Sequence, residues 1–85
     1  FPIHKILSLM PKSDSLFETI LVSANDTLVD LFLNKKISYN KIHFILYKIL
    51  TLKEFRKYKK KKPKKINDIL ILNKYVRLKT LSLSV

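Results

Sequence analysis

The stretch from Ser23 to Ile37 constrains the chain most, because its periodicity, its charges and its ends specify the same element. Leu28, Leu31 and Phe32 recur at i, i+3 and i+4, with Ala24 and Val29 bordering them. That is the spacing of a helix with one buried face. Asp26 and Asp30 lie one turn apart near its start, where carboxylates favour the positive end of the helix dipole. Lys35 and Lys36 follow its end, where cations are favoured. The pattern predicts a helix that begins at about Val22 to Ala24 and turns Phe32 toward the core.

Two further amphipathic stretches give it something to pack against. Ser38 is placed as the N-cap of a second helix, in which Ile42, Ile45, Leu46, Ile49 and Leu50 form one stripe. Ile66, Ile69, Leu70, Asn73, Val76 and Arg77 continue at helical spacing near the C-terminus, with Asn67 or Asp68 in the first turn. A shorter helix is expected at the start, where Pro2 is tolerated and Ile3, Ile6, Leu7 and Met10 keep the period. Pro11 cannot continue it, and Lys12 to Ser15 make a polar break. Leu16 to Val22 fits either a helix or a short extended run. Leu81 to Val85 alternates with period 2, but a lone terminal strand has no partner, so a frayed end is expected. The 85 residues, 1–85, make one domain at most. The expected fold is all-α, a small bundle of three to four antiparallel helices with a basic loop before the last.

That loop holds most of the charge. From Lys53 to Lys65 the chain carries nine cations against Glu54 alone, and the whole chain has a net charge of +12. Charges this dense repel, and Pro63 blocks helix continuation, so residues 53–65 read as a solvated helix end running into a mobile loop. Two origins compete for the lysines. One is a polyanion partner. The other is mutational bias, since the chain is rich in the residues of AT-rich codons and has no glycine. Phe55 and Tyr58 lie among the lysines, as aromatics that stack on bases do. A free-standing basic module binding nucleic acid is therefore the alternative function. No helix-turn-helix, finger or sheet platform accompanies the run, which favours the solvated loop.

No catalytic, cofactor-binding or metal-ligating residue is expected. There is no cysteine, and His4 and His43 stand far apart without a carboxylate at dyad spacing. Asp26 and Asp30 form a lone i, i+4 pair that helix-start electrostatics explains without a metal. Ser8, Ser13, Ser15, Ser23, Ser38, Ser82 and Ser84 lack the glycines a nucleophile elbow needs, and the same lack removes phosphate-binding loops. No apolar run approaches the roughly 20 residues that span a bilayer.

One family fits these residues. Ala24, Asn25, Asp26, Val29, Asp30, Phe32, Leu33, Lys36 and Ile37 match, without a gap, the opening helix of the C-terminal domain of 1-deoxy-D-xylulose 5-phosphate reductoisomerase, with Ser23 in place of an alanine and Asp26 of a glutamate. Phe1, Pro2, Lys5 and Leu7 fit the segment before it, and Lys36-Ile37-Ser38-Tyr39 fits the connector after it. Ile66, Asp68, Ile69, Leu70, Asn73, Val76 and Arg77 fall on the closing helix, so the resemblance runs from Phe1 to about Lys79. The glycines usual in the family's first loop are absent, leaving Pro11, Ser13, Asp14 and Ser15 to make the turn.

The resemblance favours an extended or irregular lead-in ending near Val22, capped by Ser23 or a residue just before it. It makes Asn25 a positioning residue that satisfies donors near the helix start or ties the helix to a neighbour. It implies a parent enzyme dependent on NADPH and on Mg or Mn. That enzyme isomerises and reduces 1-deoxy-D-xylulose 5-phosphate to 2-C-methyl-D-erythritol 4-phosphate in non-mevalonate isoprenoid biosynthesis. None of the family's catalytic motifs lies in these residues, and Phe1-Pro2 is neither an initiator methionine nor a signal peptide, so a C-terminal piece of a longer enzyme is expected. Its implied partners are the catalytic and dinucleotide-binding domains of the same protein, in a homodimer, with no membrane and with nucleic acid disfavoured. The expected compartment is a relict plastid or a bacterial cytoplasm.

Overall fold

Ser15 starts the central helix earlier than the periodicity suggested. Its Oγ accepts a 3.2 Å hydrogen bond from the Phe17 amide, and Glu18 follows in the first turn. Ser15-Leu16-Phe17-Glu18 thus has the Ser-x-x-Glu sequence of a capping box, although the serine hydroxyl takes the Phe17 amide and the Glu18 amide bonds the Ser15 carbonyl. The computed structural model describes residues 3–84. In it α1 spans Ile3–Leu7, α2 Phe17–Leu33, α3 Tyr39–Leu50 and α4 Ile66–Ser84, with a 3-10 helix over Lys53–Lys60. No strand occurs among the described residues, and the all-α expectation holds. Phe1 and Pro2, expected to open the first helix, lie outside the described residues.

The extended lead-in is corrected: Phe17 to Val22 are helical, and Ser23 lies inside α2 instead of capping it. The error has a physical cause. Phe17, Ile20, Ala24, Thr27 and Leu28 are the residues α2 buries, so its core face begins two turns before the stretch with the clearest charge pattern. Phe32 and Val29 fall on its other side and are 36% and 37% exposed. Leu31 is partly buried against the core.

α2 ends without glycine. Lys36 N–H bonds the Leu31 carbonyl at 2.8 Å and Lys35 N–H bonds that of Phe32 at 3.0 Å. This is the paired closure of a Schellman motif, and it puts Lys35 in the left-handed region at φ 60°. Ser38 then takes the extended N-cap conformation of α3, although its side chain makes no cap hydrogen bond. The α3 stripe is as expected: Ile42, Ile45, Leu46, Ile49 and Leu50 are all buried.

The basic stretch is a loop only from Lys61 to Lys65. Before that it winds into a 3-10 helix and drives Phe55 into the core with no exposed surface. A 3-10 helix repeats every three residues, and Leu52, Phe55 and Tyr58 have that spacing, all packed on the core. The α4 stripe is also corrected. Its buried residues are Leu72, Val76 and Thr80, with Ile69 and Leu83 partly buried, while Ile66 and Leu70 are exposed. The expected frayed tail is helical through Ser84, held by fully buried Thr80 and by Leu83; Val85 lies outside the described residues.

The core therefore forms where α2 meets α3, α4 and the 3-10 helix, with Phe17, Ile20, Leu28, Ile49, Phe55 and Val76 at its centre. Two threonine hydroxyls taken inside are satisfied within their own helices. Thr27 Oγ1 donates to the Ser23 carbonyl at 2.7 Å and Thr80 Oγ1 to that of Val76 at 2.8 Å.

Candidate functional site

Two surfaces stand out once the core is subtracted. The first is a basic cleft of about 910 Å³ between the 3-10 helix, the loop after it and α4. Phe55 lines its inner wall, Tyr75 and Asp68 stand on the α4 side, and Lys57, Lys60, Lys61, Lys62 and Lys64 surround it. The Leu16 amide fastens the loop to the start of α2 by donating to the Lys61 carbonyl at 2.8 Å. On the α4 side, Tyr75 Oη donates to Glu54 Oε2 at 2.8 Å, and Lys79 Nζ lies 3.1 Å from Glu54 Oε1. The Tyr75 hydrogen bond first, then Lys79, lowers the Glu54 pKa below its ordinary 4.5. The same hydrogen bond raises that of Tyr75 above 10.0.

This arrangement attracts anions, but the two aromatics of the basic run, Phe55 and Tyr58, are already engaged. Phe55 has no exposed surface, and the Tyr58 ring already carries the ammonium groups of Lys57 and Lys61 at 5.3 and 5.5 Å. Lys59 sits 5.1 Å from the Phe17 ring centroid. The interleaved aromatics are thus spent on the protein's own core and cations, contrary to the stacking role weighed for them.

The second surface is the outside of α2. Val22, Val29 and Leu33 are exposed along it, at 57%, 37% and 70%, with half-buried Asn25 between Val22 and Val29. Their spacings of seven and four residues put all three on one face, directed away from the core. Phe32 borders that face and meets Tyr39 edge-on at 5.6 Å, and Tyr39 in turn meets His43 at 6.1 Å. Asn25 is midway along the helix, far from its start, and its amide makes no hydrogen bond among the described residues. The role expected for it inside this domain is therefore corrected.

The remaining singled-out residues are dispersed. His4 is exposed, and His43 is half-buried on α3 beside Tyr39. Asp26 is exposed on the outer side of α2, and Asp30 pairs with Arg77 of α4 at 3.6 Å with both side chains more than half exposed. Such a pair contributes about 0–1 kcal/mol. Among the described residues no three His, Cys, Asp or Glu side chains converge. Ser15 and Ser23 have structural partners, and Ser8, Ser82 and Ser84 bond carbonyls of their own helical segments. No helix among the described residues is long and apolar enough to cross a membrane.

Comparison with known proteins gives two findings. The family model of the DXP reductoisomerase C-terminal domain matches residues 1–79. A 1-deoxy-D-xylulose 5-phosphate reductoisomerase of Pelagibacter ubique is 55% identical over 85 residues, which is 100% of this chain and 22% of that relative. The chain thus spans less than a quarter of the relative's length. No solved structure gives a significant match.

Proposed function

The chain belongs to the DXP reductoisomerase C-terminal domain family, and we propose that it is the structural C-terminal domain of an enzyme converting 1-deoxy-D-xylulose 5-phosphate to 2-C-methyl-D-erythritol 4-phosphate. The observation that carries this reading is the uninterrupted likeness, 55% over the whole chain, to a named reductoisomerase. NADPH supplies the hydride in that reaction and a divalent metal, Mg or Mn, polarises the substrate. We place both with the parent's other domains; among the described residues no three His, Cys, Asp or Glu side chains converge. Residues 1–85 act as one helical domain within that longer protein, and their partners are its catalytic and dinucleotide-binding domains, in a homodimer. We assign the enzyme to a bacterial cytoplasm in preference to a relict plastid, and the bacterial source of the relative supports this.

The test is an exchange. The Pelagibacter enzyme is built with this chain in place of the region it aligns with, and NADPH consumption with 1-deoxy-D-xylulose 5-phosphate is followed. Retained, metal-dependent turnover supports the reading. A folded chimera that consumes no NADPH, beside an active parent, contradicts it.

A further inference from the structure

We propose that the outer face of α2, formed by Val22, Asn25, Val29 and Leu33 with Phe32 and Tyr39 at one end, is the surface on which the rest of the same polypeptide docks. The proposal rests on the reading just given and adds to it the place and chemistry of the contact.

Charge distribution is the first support. The chain has 18 Lys and Arg residues, yet none lies among the 17 residues of α2, although seven of those 17 are exposed. The 3-10 helix carries its lysines outward; the outer face of α2 instead sets Val22, Val29 and Leu33 among the carboxylates of Glu18, Asp26 and Asp30. It is the composition of a covered face, with a rim suited to cations on the partner.

Asn25 is the second support. Its amide sits half-buried in an apolar stripe without a hydrogen bond among the described residues, and an apolar partner closing over it would strand a donor and an acceptor. The partner must bring a polar group, such as a backbone carbonyl or amide, to that one position, which fixes the register of docking.

A second copy of the chain is disfavoured as occupant. Face-to-face pairing would set the Glu18, Asp26 and Asp30 rims against each other between two bodies of net charge +12. The remainder of the polypeptide is the occupant whose length is known to exist in relatives, of which this chain spans 22%.

The chain has no cysteine, so single thiols report burial residue by residue. Val29→Cys, Leu33→Cys and, as a control, Phe44→Cys on exposed α3 surface are placed in the isolated chain and in the chimera, and labelling by a thiol reagent is timed by mass spectrometry. In the chimera the thiols at 29 and 33 are expected to react roughly ten-fold or more slowly than in the isolated chain, with that at 44 unchanged. Equal rates in a folded, NADPH-consuming chimera overturn the docking surface while leaving the domain reading intact. Protection in the isolated chain that grows with concentration assigns the face to a second copy and also overturns it. If the chimera does not fold, the same thiols at the aligned positions of the intact Pelagibacter enzyme decide the matter by the same criterion.

Discussion

The Oγ of Ser23 on α2 donates a 2.9 Å hydrogen bond to the backbone carbonyl of Asn73 on α4. It joins two helices 50 residues apart in sequence, at a place where a small side chain lets them approach. The Ser23 carbonyl also accepts from Thr27, so this one residue links a helix pair and a buried hydroxyl. Ser23→Ala is expected to lower stability by about 1 kcal/mol, the net worth of one such bond, because the Asn73 carbonyl keeps its helical acceptor role. A urea titration of both proteins checks it. An unchanged midpoint would show that the contact adds nothing.

Phe55 and Phe32 give opposite forecasts. Phe55→Ala removes a fully buried ring that meets Tyr75 edge-on at 6.1 Å, and about 3–5 kcal/mol should be lost. That approaches the whole folding free energy of a small domain, so the variant should show little cooperative melting. Phe32→Ala removes a partly exposed ring and one edge-on contact with Tyr39, for a cost of about 0.5–1.5 kcal/mol. Circular-dichroism melts rank the two. A larger loss for Phe32 would mean that α2 is rotated from the orientation described.

The same pair shows what the sequence could reveal. The α3 stripe was legible because five aliphatic residues occupy one face, and Phe44 is the one wholly apolar side chain outside it. α2 was legible as a helix but not in orientation, since apolar residues line both its sides: Ile20, Ala24 and Leu28 inside, Val22, Val29 and Leu33 outside. Two faces of similar composition leave the periodicity without a preferred direction. α4 misled for the same reason, with Ile66 and Leu70 exposed beside buried Leu72 and Val76. Phe55 was hidden by its neighbours, because Lys53, Glu54, Arg56 and Lys57 flank the one fully buried residue of the 3-10 helix. Its signal was the three-residue spacing with Leu52 and Tyr58, as that of the α2 start was Ser15 with Glu18.

Lys35 holds a left-handed conformation that costs an L-residue about 1–2 kcal/mol, and no glycine relieves it. Lys35→Gly is expected to raise stability by roughly 0.5–1 kcal/mol, the strain released less the extra unfolded-state entropy of glycine. Lys35→Ala should gain nothing. A thermal melt that ranks alanine above glycine would contradict the Schellman closure of α2.

The Glu54–Tyr75 hydrogen bond sets two limbs of a pH profile. The Glu54 pKa is depressed in the fold, so its contribution is present above the ordinary 4.5 and is lost as pH falls through the lower folded value. The Tyr75 pKa is raised, so its contribution is present below 10.0 and is lost as pH rises through the higher folded value. Both groups are solvent-accessible and the effect is small. Stability measured against pH should fall less steeply at both ends in Tyr75→Phe than in the parent. Superimposable profiles would mean that the bond does not persist in solution.

The central claim is that this chain supplies architecture to a reductoisomerase and none of its chemistry. The most direct measurement adds NADPH, Mg or Mn and 1-deoxy-D-xylulose 5-phosphate to the purified 85-residue chain, with NADPH consumption and calorimetric metal binding followed together. The account predicts a cooperatively folded protein that consumes no NADPH and binds no divalent metal tightly. Turnover, or saturable metal binding, by the pure chain would contradict it.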